Sequence, residues 1–125
     1  MNIYGIEHVQ LAMPKGRESE AIEFYEGVLG LTEVPKPEHL AIRGGCWFES
    51  GTVKIHLGVS EAFVPATKAH PALLVHSLPD LVAHLAEHSI EVSVDQPLEG
   101  FDRCYAHDPF GNRIEFMQSI PSSSD

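Results

Sequence analysis

An internal repeat constrains this chain more than any other feature of its sequence. Ile6-Glu7-His8-Val9-Gln10-Leu11-Ala12-Met13-Pro14 alternates apolar and polar residues as a strand does, and Ala69-His70-Pro71-Ala72-Leu73-Leu74-Val75-His76 reads as a second such strand. Each is followed by apolar residues at helical spacing. In Ser19 to Val28 these are Ala21, Phe24, Tyr25 and Val28; in Pro79 to His88 they are Leu81, Val82, Leu85 and Ala86. Ser19 suits an N-cap of the first helix, and Pro79 suits the first turn of the second. The first helix exits at Gly30, which takes a left-handed conformation without strain, and the second at Ser89. Short strands follow each helix. They are Thr32–Val34, Gly45–Ser50 and Thr52–Val59 in the first half, with a tight turn at Ser50-Gly51, and Glu91–Val94, Arg103–His107 and Arg113–Gln118 in the second. The last two are joined by the turn formers Asp108-Pro109-Phe110-Gly111-Asn112.

The order β-α-β-β-β therefore occurs twice, offset by about 60 residues. His8 aligns with His70, Cys46-Trp47 with Cys104-Tyr105, and Ile55-His56-Leu57 with Ile114-Glu115-Phe116. One half would have few strands and one apolar face, which is marginal by itself. The pattern predicts an α+β fold of two tandem βαβββ modules, residues 3–60 and 68–118, forming a curved mixed-sheet cup with helices on the outside. At 125 residues this is a single domain, with Val59–Lys68 as a linker or lid and residues 119–125 as a disordered tail.

Strand parity separates the polar residues from the core. His8 shares a face with Gln10, away from Val9, Leu11 and Met13. Lys54 and His56 oppose Ile55 and Leu57, His70 opposes Pro71 and Leu73, and Arg113 and Glu115 oppose Ile114 and Phe116. Four strands at repeat-related positions thus each place one His or Glu away from the helix-facing side. Imidazoles and a carboxylate suit Fe, Mn, Ni, Co or Zn, and such a set leaves positions open for water or substrate. Lys54 and Arg113, each two residues before His56 and Glu115, are candidates for a substrate carboxylate or phosphate or for a rim salt bridge. Arg43, ahead of Gly44-Gly45, has the same two readings. Gln10, Trp47 and Tyr105 are candidate substrate contacts, the two aromatics being equally suited to core packing.

The formal net charge of −10 offers no basic footprint for nucleic acid or an anionic membrane. No stretch approaches the roughly 20 apolar residues of a membrane span. Met1 to His8 lacks the basic and apolar regions of a secretion signal, and Cys46 and Cys104 have no CxxC spacing. A cytoplasmic protein with two reduced, core-filling thiols is expected.

Three stretches resemble the signatures of the vicinal-oxygen-chelate superfamily, the glyoxalase/bleomycin resistance protein/extradiol dioxygenase family. They are Glu7-His8-Val9-Gln10-Leu11, Phe24-Tyr25-Glu26-Gly27-Val28-Leu29-Gly30-Leu31 and Asp108-Pro109-Phe110-Gly111-Asn112-Arg113-Ile114-Glu115-Phe116. The resemblance implies a divalent metal held by His8, His70 and Glu115. In glyoxalase I the fourth ligand is usually Glu or Gln, and the matching position here is His56, either a fourth ligand or a nearby acid/base group. Glu115 and His56 are then the candidate catalytic bases. The resemblance implies a homodimer, with modules paired within a chain or exchanged between chains. It also implies a metal-dependent enzyme acting on a small substrate chelated through vicinal oxygens: a glyoxalase-like lyase or isomerase, a dioxygenase or a thiol transferase. The alternative is a metal-free protein sequestering a drug or metabolite, of the bleomycin-resistance type.

Overall fold

The computed structural model describes residues 2–121, so residues 122–125 of the expected tail lie outside the described residues. The described chain forms two compact units, one ending at Pro65 and the other beginning at Ala66. The first contains β1 (Val9–Met13), α1 (Glu18–Ile22) running into a π-helical segment (Glu23–Val28), β2 (Thr32–Val34), α2 (Glu38–Ala41), β3 (Cys46–Ser50) and β4 (Val53–Val59). Its sheet has the order β1-β4-β3-β2, with β1 parallel to β4 and the other pairs antiparallel. The second contains β5 (Ala72–Leu74), α3 (Leu78–Glu87), β6 (Phe101–His107) and β7 (Arg113–Ser119). Its order is β5-β7-β6, with β5 parallel to β7 and β6 antiparallel. The fold is α+β with two open mixed sheets, as the repeat predicts.

The repeat extends to register. Gln10 faces His56 across β1 and β4, and Ala72 faces Glu115 across β5 and β7. Trp47 faces His56 across β3 and β4, and Tyr105 faces Glu115 across β6 and β7. In the first unit Ile55 and Leu57 are buried with Met13, Phe24, Tyr25 and Phe48, the Tyr25 and Phe48 rings stacking at 5.4 Å. In the second, Ile114 and Phe116 are buried with Leu85, Cys104 and Ala106. Among the described residues no helix is long and apolar enough to cross a membrane.

Five details differ from the sequence expectation. β1 begins at Val9 and β5 at Ala72, so His8 and His70 stand just ahead of their ladders. A strand lasts only as long as its partner: β1 has pairing from Val9 to Met13, and Ile6 before it is 81% exposed. Ser19 is not a cap, because α1 starts one residue earlier behind Arg17, which makes no side-chain cap. The expected strand over Glu91–Val94 is a single bridge, Ser93 to Tyr105, with hydrogen bonds of 2.9 and 2.8 Å. The short α2 was not foreseen; Pro37 precedes it and its carbonyl accepts from Leu40 and Ala41. Finally, Ser119 belongs to β7, and the Ile120 N–H donates to Gly100 at 3.0 Å, so order persists past the expected start of the tail.

Candidate functional site

The first unit brings His8 and His56 together. His56 is central in β4, and its ring is sandwiched between Trp47 at 4.2 Å and His8 at 4.1 Å, both nearly parallel to it. This sandwich leaves His56 only 6% exposed. Neither ring nitrogen has a hydrogen-bond partner among the described residues. Burial and the neighbouring His8 hold its pKa below the ordinary imidazole value, which favours the neutral ring with an available lone pair. His8 is oriented by Glu7, whose Oε1 lies 3.0 Å from Nδ1, leaving Nε2 unengaged. The other Glu7 oxygen accepts from Lys54 at 2.5 Å. Hydrogen bonds from Lys54 and His8 keep the exposed Glu7 carboxyl below its usual range.

The second unit brings His70 and Glu115 together. His70 Nδ1 lies 2.7 Å from the Lys68 carbonyl, and Nε2 lies 2.9 Å from Glu115 Oε1. A carbonyl only accepts, so Nδ1 carries the proton toward Lys68. The second Glu115 oxygen accepts from Arg103 Nη1 at 3.1 Å. Burial pushes Glu115 upward, but the hydrogen bonds from His70 and Arg103 outweigh it, and its pKa lies below the ordinary value. Tyr105 places its ring edge-on to His70 at 5.5 Å, and the Arg113 guanidinium covers that ring at 4.0 Å.

The Asp108–Asn112 turn sets this register. Asp108 Oδ1 accepts from the N–H groups of Phe110 at 2.9 Å and Asn112 at 2.8 Å, and Oδ2 accepts from Asn112 Nδ2 at 2.8 Å. The turn residue Gly111 has φ +93°, and the closed hairpin puts Tyr105 opposite Glu115.

Each unit thus holds one pair of the expected ligands. Neither gathers three His, Cys, Asp or Glu side chains into a group that could hold a metal ion among the described residues. Of the expected substrate contacts, Gln10 and Trp47 flank His56 on neighbouring strands, and Lys54 is engaged by Glu7. Tyr105 and Arg113 lie beside His70 and Glu115 in the second unit.

The model of the Glyoxalase/Bleomycin resistance protein/Dioxygenase superfamily matches residues 5–116. The chain belongs to this superfamily. A glyoxalase family protein from Bacillus anthracis is 48% identical, with a TM-score of 0.92 over 96% of this chain and 98% of that one. A virulence protein from Salmonella typhimurium is 27% identical, with a TM-score of 0.73 over 96% of this chain and all (100%) of that one. The fosfomycin resistance protein FosX from Listeria monocytogenes shares the fold at 14% identity, with a TM-score of 0.70 over 98% of this chain and 97% of that one. No curated protein matches the chain.

In this superfamily member Arg103 is the residue that sequence reasoning missed. Besides Glu115, it donates to the Tyr105 hydroxyl at 2.8 Å and the Gln96 carbonyl at 2.6 Å. Its Nε is buried without a partner among the described residues. Parity held the signal: Arg103 is two residues before Tyr105, hence on the same face of β6, and Tyr105 pairs with Glu115.

Proposed function

We propose that the protein is a metal-dependent enzyme acting on a small substrate chelated through two neighbouring oxygens, with His8, His70 and Glu115 as metal ligands. The carrying observation is the pair His70 and Glu115. With Nδ1–H committed to Lys68, the Nε2 lone pair of a neutral His70 would face a carboxylate oxygen at 2.9 Å. That contact needs a cation, either a proton or a metal ion. An imidazole nitrogen and a carboxylate oxygen turned toward each other would hold such an ion as a pair of donors. His8 has the same oriented form, its Nδ1 at Glu7 and Nε2 open, as ligating histidines have when a carboxylate supports them. Mn, Fe, Co, Ni and Zn all accept these donors.

Such a metal supplies Lewis-acid stabilisation of negative charge developing on a bound oxygen. Glu115, kept ionised by its partners, and His56, kept neutral, are suited to move a proton. His56 is the fourth ligand or that proton carrier. Gln10, Trp47, Lys54, Tyr105 and Arg113 are the proposed substrate contacts. The reaction is a glyoxalase-like lyase or isomerase step, a dioxygenation or a thiol transfer. The open edges of β1 and β5, with Ile3, Tyr4 and Ile6 all more than 80% exposed, support a homodimer. Two buried free thiols support a cytoplasmic location.

Metal analysis of protein purified without chelator tests this reading. A stoichiometric divalent metal in the wild type, lost in His8→Ala and Glu115→Gln, is expected. Turnover is then sought with the methylglyoxal–glutathione hemithioacetal, catechols and fosfomycin with thiol. His56→Ala that keeps metal but loses turnover makes His56 the proton carrier; loss of metal makes it a ligand. No uptake of any of the five ions would overturn the reading in favour of metal-free sequestration.

A further inference from the structure

One cavity in the first unit, of about 250 Å³, is lined by Gln10, Lys36, Leu40, Arg43, Trp47 and Gly58 among others. Its ionisable lining residues are Lys36 and Arg43, both cations. The chain carries only 8 Lys and Arg against 18 Asp and Glu, so a cavity lined by cations and no carboxylate runs against its overall charge. Lys36 Nζ is anchored on the Gly44 carbonyl and lies 5.9 Å from the centre of the Trp47 ring. That anchor is neutral, and Lys36 makes no ion pair among the described residues. Arg43 is exposed, and its guanidinium has no hydrogen bond or ion pair among the described residues.

The rim is built to stay in place. Pro35 and Pro37 flank Lys36. Arg43 and Gly44 donate back to Leu40 and Ala41 at 3.0 and 3.1 Å. Gly44 and Gly45 take φ +77° and +83°, and the Gly45 N–H donates to Glu18 at 2.8 Å. A rim already ordered spares a ligand the entropy of ordering it.

The cavity adjoins the histidine pair. Gln10 and Trp47 flank His56 across β4, and both line it. Gly58, two residues beyond His56 on the same face, lies under the Gln10 amide: a Cβ there would meet Gln10 Nε2 at 2.6 Å. The cavity therefore begins about 7 Å along the strand from His56. Its volume corresponds to about eight waters at roughly 30 Å³ each, suiting a small molecule rather than a peptide.

We propose that this cavity binds a small organic anion, with its carboxylate or phosphate-type group held by Lys36 and Arg43 and its carbon body against Trp47. The identification of that anion as the substrate, with its other end toward His56 and His8, rests on the function proposed above. Anion binding itself does not. Lys36 and Arg43 donate charge-assisted hydrogen bonds, Gln10 offers an amide, and the apolar wall selects against fully hydrated inorganic anions.

Trp47 is the single tryptophan, so its fluorescence reports on the cavity directly. Benzoate, phenylphosphonate and the neutral isostere benzamide are titrated into metal-stripped wild type, Lys36→Gln, Arg43→Gln and the control Lys15→Gln. Saturable quenching by benzoate or phenylphosphonate is expected, with benzamide at least about tenfold weaker. Whichever acid binds more tightly names the head group. Lys36→Gln and Arg43→Gln should each weaken the anion about tenfold, while Lys15→Gln leaves it unchanged. Equal binding of benzamide, no saturable signal, or wild-type affinity in both cavity variants would overturn the proposal. The benzamide arm needs no variant to fold. Metal uptake measured on the same proteins after re-addition of each divalent ion separates the two readings: anion binding without metal uptake sinks only the metal enzyme, and metal uptake without anion preference sinks only this cavity's role.

Discussion

Substituting Gly45 by alanine tests whether the start of β3 is fixed by backbone contact. Gly45 has φ +83°, and a Cβ built there would lie 2.1 Å from the carbonyl oxygen of Leu57. That oxygen belongs to β4, held between β1 and β3, so it has no room to withdraw. The left-handed backbone alone costs an alanine about 1–2 kcal/mol. Relieving the overlap means lifting the Cys46 end of β3 off β4, losing one or two hydrogen bonds worth about 1 kcal/mol each. The expected loss is about 2–4 kcal/mol, or a Tm lower by about 8–16 °C in a chain of this length. Gly51→Ala is the matched control, because Gly51 has φ +58° and nothing within 4 Å of its built Cβ. It should lose only the conformational part, about 1–2 kcal/mol. Urea unfolding of both variants, checked by thermal denaturation, gives the comparison. If Gly45→Ala falls within about 0.5 kcal/mol of Gly51→Ala, the close approach to Leu57 is not what requires glycine, and the reasoning is refuted.

Three further outcomes follow from the same geometry. Ser89 ends α3 with φ +60°, so Ser89→Gly should stabilise by about 1 kcal/mol, raising Tm by about 4 °C; a lower Tm would count against the strain. Asp108→Ala strips three hydrogen bonds from a buried turn and should cost about 3 kcal/mol in urea unfolding, whereas a loss below 1 kcal/mol would show the turn to be held otherwise. Burial, reinforced by Glu33 and Glu18, pushes the Cys46 thiol up to about 12. Neither thiol should react with a disulfide reagent at pH 8 in native protein, and both should in denaturant. The folded thiol keeps its proton where the unfolded one loses it, so this contribution to stability is intact below pH 9 and lost as pH rises toward 12. A Cys46→Ala variant should therefore show a flatter alkaline decline, and an unchanged slope would contradict the assignment.

Much of the architecture was legible in the order of residues because the signals are local. Alternation in Val53–Val59 and Arg113–Ser119 separates Ile55 and Leu57 from His56, and Ile114 and Phe116 from Glu115, without reference to any other strand. The approximate 60-residue repeat then relates the two sheets. The Asp108–Asn112 turn is equally local, since its aspartate satisfies donors two and four residues ahead. The places where expectation and structure part company all depend on partners. β1 and β5 last only as long as β4 and β7 pair with them, which leaves His8 and His70 just outside their ladders. Ser93 keeps one bridge where a strand was expected.

The sequence by itself determined the α+β class, the repeat and the faces of the strands, because periodicity is written in neighbouring residues. Only the tertiary structure decided that Arg103 would grip Glu115, that Trp47 and His8 would enclose His56, and that Lys36 and Arg43 would share a cavity. Those arrangements join residues that chain order does not pair, and they exist only once strand register and the glycine-rich rim have brought them within a few ångströms.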